Sequence, residues 1–187
     1  MDRMIDETTG GSVQRYTSIA IAIHWLSAAL IIAQIILGLK FGDMPKGPAR
    51  IEMFTWHKTV GVVILLLAIA RLAVRLTNKP PAFPDDLPRW ERVAAVWNHR
   101  LFYFLMFALP LTGLSLVGEH SPTGMTGLIG GISIPVLPYY GVAESHTILA
   151  WGMIGLLVLH VAAALKQQFF DKSIVADRMP PFHSPRG

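Results

Sequence analysis

Four histidines, His24, His57, His146 and His160, stand inside or at the ends of long apolar runs. An ionisable side chain is costly in such a setting and marks function. His146 and His160 bound the run HTILAWGMIGLLVLH. On an α-helix their separation is about 21 Å of rise and falls about 40° short of four turns, so both imidazoles share one face near opposite ends. His24 lies a turn or so inside the start of the first run, and His57 just inside the start of the second. With successive helices antiparallel, depth pairs His24 with His160 and His57 with His146. Two facing imidazoles from two helices are an axial pair for a haem iron. Two such pairs at opposite depths form a path for electrons.

The same interval singles out further positions. Gly38 lies that far beyond His24, where a missing side chain lets a macrocycle approach; Gly61, one turn beyond His57, falls on the ligand face. Close helix packing explains both glycines equally well. Arg71 lies the full interval beyond His57, placed for a haem propionate or, by snorkelling, for a lipid phosphate. His99 shares the level of His24 and His160 and by depth alone is an alternative ligand. Its place at the boundary, beside Arg100, sets it instead behind the ligands, on a propionate or near a quinone pocket, or as an ordinary interfacial histidine. His120 and His183 read as solvated.

These residues need elements to position them. The 187 residues are 52% hydrophobic and 15% charged, with mean hydropathy +0.47, outside the range of ordinary soluble domains. Four runs reach the roughly 20 residues that cross a bilayer: 19–39, 54–75, 99–117 and 146–166. Lipid offers no hydrogen-bond partners, so each run must be a helix. The fold expected is an all-α, integral-membrane four-helix bundle over 19–166, between an N-terminal segment, 1–18, and a tail, 167–187. The first run is too long for a cleaved leader and reads as a retained anchor, the mature chain beginning near Met1.

Pro110 predicts a kink in the third run. DDLPRWERVAAVWN suggests a short surface helix before it, and residues 118–145 a Gly/Pro-rich loop without Lys or Arg. The absence of cysteine excludes disulfides, thiol chemistry and Cys-ligated clusters. Lys and Arg concentrate in the N-terminal segment, the second connection and the tail, against Lys40, Lys46, Arg50 and Lys58 on the opposite side. Both termini are therefore expected in the cytoplasm. The same bias accounts for the formal charge of +4, which is no nucleic-acid signature. Trp25, Trp56, Trp90, Trp97 and Trp151 fall near run ends and read as an interfacial belt.

In order along the chain, IHWLSAALIIAQIILGL, WHKTVGVVILLLAIARLAVRL, NHRLFYFLMFALPLTG and LHVAAALKQQFFDKSIVADRM resemble the prokaryotic cytochrome b561 family over about residues 15–180. The resemblance implies two b-type haems within the bundle, with His24, His57, His146 and His160 at the family's ligand positions. It also implies a multi-pass protein of the bacterial inner membrane that passes electrons from periplasmic superoxide, or another small donor, to membrane ubiquinone. The chain departs from many members at Thr147, where they carry an acidic residue. A membrane anchor and electron relay for a partner dehydrogenase would use the same histidines. A histidine-lined proton or metal transporter is the alternative of another class; against it, none of the four runs contains Asp or Glu.

Overall fold

A computed structural model describes residues 15–78, 80–84, 87–139, 141, 143–171 and 178–179. The segment before residue 15, His183 and most of the tail lie outside the described residues. Four helices follow in order: α1, Ser18–Asp43; α2, Pro48–Thr77; α3, Arg89–Gly118; and α4, Ala143–Leu165, which a π-helical turn, Lys166–Phe170, extends. All four are long and apolar enough to cross a membrane, and only 6–17% of each helix's apolar window is buried. Surfaces so apolar and so exposed belong against lipid.

The helices begin ahead of their apolar stretches, because the residues before each stretch can start a helix. The hydroxyl of Thr17 accepts from Ala20 N–H at 3.3 Å and starts α1. Pro48 occupies the first turn of α2, where its missing N–H costs nothing. α3 begins at Arg89 and runs unbroken into its span, so RWERVAAVWN is the first part of that helix rather than a separate surface helix. Pro110 sits inside α3 without ending it.

Helix packs on helix in chain order, α1 on α2, α2 on α3 and α3 on α4. α4 faces α1 and α2 across histidine rings. The buried apolar core is Ile31, Ile64, Ala68, Leu105, Met106 and Met153. Ile31, Ile64, Leu105 and Met153 each stand about two helical turns beyond His24, His57, Asn98 and His146 in turn, and as far short of Gly38, Arg71, Thr112 and His160. Each helix therefore presents one face at three levels: a polar or glycine position near each end and a core residue between. An apolar layer thus separates the two histidine levels.

The connection between α3 and α4 is longer and folds on itself. Two short antiparallel strands, β1, Met125–Gly127, and β2, Ser133–Pro135, pair Thr126 with Ile134. The turn between them passes through Gly130 at φ 81° and Gly131 at φ 75°, left-handed backbone that glycine adopts without strain. No periodic signal announces this hairpin, because strands so short have no room to alternate.

Candidate functional site

At one end of the bundle the centroids of the His57 and His146 rings lie 6.5 Å apart. At the other end those of His24 and His160 lie 6.3 Å apart. An imidazole nitrogen sits about 2 Å from a bound metal, so two in line on opposite sides of one iron place their ring centroids about 6 Å apart. The spacing of both pairs suits an iron between them. All four rings are half-buried.

The hydrogen bonds on the rings decide which nitrogen is offered. Thr112 donates its hydroxyl proton to the carbonyl of Ala108, 2.8 Å, or Leu109, 3.0 Å. Its oxygen is thereby left to accept from His146 Nδ1 at 2.9 Å. Asn98 Oδ1 accepts from His160 Nδ1 at 3.0 Å. A neutral imidazole that donates at Nδ1 keeps a free lone pair on Nε2, so both α4 histidines present Nε2 as a ligand.

The α1 and α2 histidines face donors instead. Arg71 Nη2 lies 3.1 Å from His24 Nδ1, and because a guanidinium only donates, that nitrogen accepts. Ligation through Nε2 of His24 therefore requires Arg71 to move off Nδ1. Gln34 Nε2 lies 3.0 Å from the His57 carbonyl oxygen and 3.2 Å from His57 Nε2. His57 Nδ1 is buried without a hydrogen-bond partner, and it borders Gly38, where an added Cβ would stand 3.1 Å from His57 Cε1. The donor set fits haem directly on α4, and on α1 and α2 once these two donors shift.

Among the other residues singled out by spacing, Gly61 makes room for the Gln34 amide, 3.2 Å from where its Cβ would be. His99 donates Nδ1–H to the Ala95 carbonyl at 2.7 Å, and its ring centroid is 6.0 Å from that of His160. His99 is more exposed to its surroundings than the paired rings, which are half-buried, although it faces the same His160 ring. Arg71 also lies 5.9 Å from the centroid of Tyr103. Sequence reasoning missed Gln34, Asn98, Thr112 and Gly113, whose added Cβ would stand 3.3 Å from His146 Cε1. A signal for two of them was available: Asn98 and Thr112 repeat the interval of His146 and His160.

The hairpin covers the His57/His146 end. Lys58 Nζ donates to Thr126 Oγ1 at 2.9 Å, Ile129 N–H donates to Thr59 Oγ1 at 3.1 Å, and Ser115 Oγ donates to the Pro138 carbonyl at 2.7 Å. At the same end Arg50 donates to the Met44 carbonyl at 3.1 Å and closes the turn between α1 and α2.

Comparison with known proteins adds the family context. The family model described as prokaryotic cytochrome b561 matches residues 15–181. The chain is 28% identical to cytochrome b561 homolog 2 of Escherichia coli (strain K12), over 89% of this chain and 91% of that protein. It is 26% identical to cytochrome b561 homolog 1 of the same organism, over 90% of this chain and 98% of that one. It is also 28% identical to a protein of Yersinia pestis named probable superoxide oxidase CybB, over 90% and 97%.

Proposed function

This chain belongs to the prokaryotic cytochrome b561 family of b-haem membrane electron-transfer proteins, and on that basis we propose that it binds two haems and carries electrons from periplasmic superoxide to membrane ubiquinone. His57 and His146 hold one iron, and His24 and His160 the other, with both termini on the cytoplasmic side of the bacterial inner membrane. The observation that carries this reading is the presence of two imidazole pairs at opposite ends of one bundle, 6.3 and 6.5 Å between ring centroids.

A haem with both axial positions filled exchanges electrons at its edge rather than binding oxygen. The protein's part is to place and insulate. The layer of Ile31, Ile64, Leu105 and Met153 keeps water from the space between the two levels. Lys40, Lys46, Arg50 and Lys58, interspersed with Asp43, Glu52, Glu119 and Glu144 at the hairpin end, supply local cations that steer a small anion such as superoxide. Each superoxide gives up one electron and leaves as dioxygen; two electrons and two protons convert one quinone to quinol.

The supporting names are those of relatives, one of which is called a probable superoxide oxidase. Under anaerobic conditions, the purified haem-loaded chain in quinone-containing vesicles is expected to form quinol when superoxide is supplied alone. Quinol formation that appears only after a dehydrogenase is added would overturn the superoxide reading in favour of an anchor and relay for that partner.

A further inference from the structure

α3 carries neither member of either ring pair, yet it touches both α4 histidines through side chains at the matching interval. Thr112 meets His146 and Asn98 meets His160. The two pairs of residues are equally spaced on antiparallel helices, and Leu105 and Met153, midway on each, are buried in one core. The register is therefore locked at three levels, and the two outer ones are hydrogen bonds of one chemical kind: an imidazole Nδ1–H given to an uncharged oxygen.

We propose that Thr112 and Asn98 are positioning residues, each fixing the tautomer and ring plane of one α4 histidine and thereby setting the reduction potential of one haem. This rests on the two-haem reading above. The chemistry is that of an outer hydrogen bond on a metal-bound imidazole. An acceptor on Nδ1–H draws the proton outward, makes Nε2 a stronger electron donor, and favours the more positive, oxidised iron. Removing the acceptor weakens that donation, and the potential of the haem it serves rises. Thr112 is well suited because its single proton already goes to the α3 backbone, so its oxygen can only accept from the ring.

The contrast with α1 and α2 gives the proposal its specificity. The partners there are donors that sit on a ring lone pair: Arg71 on Nδ1 of His24, which leaves that ring's proton on Nε2, and Gln34 on Nε2 of His57, which occupies the nitrogen an iron would need. Each haem then has one ligand set by α3 and one whose partner must shift. Asn98 and Thr112 are the fixed side of the arrangement.

The test is an optical redox titration of the haem-loaded chain and its variants in detergent or nanodiscs. Thr112→Val, nearly isosteric and without an acceptor, is expected to raise the midpoint of one haem and leave the other in place. Asn98→Leu should raise the other alone, the double variant should raise both, and Thr112→Ser should restore the wild-type value. Thr112→Ala carries the same expectation without the added methyl, should the valine variant lose haem. Loaded variants with both midpoints unmoved, or Thr112→Ser shifted as far as Thr112→Val, would overturn the positioning role and leave the haem reading standing. A wild-type chain that takes up no haem would overturn both.

Discussion

The two ends of this bundle are built on one frame and finished differently. At the hairpin end the His57/His146 pair has uncharged partners, Gln34 and Thr112, and lies beneath a docked loop. At the opposite end the His24/His160 pair has Arg71 on one ring, Asn98 on the other and a third imidazole, His99, close by. Arg100 lies 5.2 Å from the centroid of the Trp97 ring near that end. The shared helical repeat supplies matching ring pairs at both levels, and the connections supply the difference. At one end the paired imidazoles meet uncharged side chains beneath a docked loop, and at the other a guanidinium reaches one of them.

The independence of the two ends is most exposed at the pairs themselves. His57→Ala is expected to lose one haem and keep the other, and His24→Ala to lose the complementary one, measured as haem per chain with spectra of the survivor. Loss of both haems from either variant would show that the levels are not independent. A smaller effect is expected from Arg71→Gln. Taking this cation away from the His24/His160 pair should lower the midpoint of that haem alone, because a nearby positive charge favours the reduced form; an equal shift at both haems would erase the contrast between the ends.

The hairpin end is tested through its loop. A Cβ on Gly118 would fall on the Leu137 carbonyl oxygen, so Gly118→Ala is expected to cost about 1–3 kcal/mol as overpacking, read by thermal unfolding, and to make the hairpin more sensitive to protease. Ser115→Ala, which loses the bond to Pro138, should cost about 1 kcal/mol. Smallest of all is Lys166→Ala. Although Lys166 reaches Glu91 at 3.0 Å and Asp171 at 2.6 Å, exposed ion pairs contribute little, and the melting temperature should stay within the error of the measurement.

Much of this was legible in the sequence because membrane spans announce themselves by length and apolarity. The four helices and the interval between His146 and His160 follow from those two properties. The helix ends were not legible: Arg89 to Asn98 is polar enough to read as surface, yet continues α3 because nothing between Pro88 and the span breaks a helix. The hairpin escaped because its pairing depends on tertiary bonds to Lys58 and Thr59. Gln34 escaped because a lone polar residue within an apolar run has no spacing of its own, and Asn98 and Thr112 because their shared interval gains meaning only once α3 is set against the α4 histidines. At Gly38 the structure adds a neighbour that its spacing from His24 does not give, the His57 ring.

The proposal that each end of this bundle grips one iron between two imidazoles carries every other assignment. Haem content per chain, taken together with the low-temperature electron paramagnetic resonance spectrum of the oxidised purified protein, puts it to the test. Two b-type haems per chain, both low-spin and bis-histidine, are expected. One haem or none in properly folded protein, or a high-spin iron with an open axial position, would refute it.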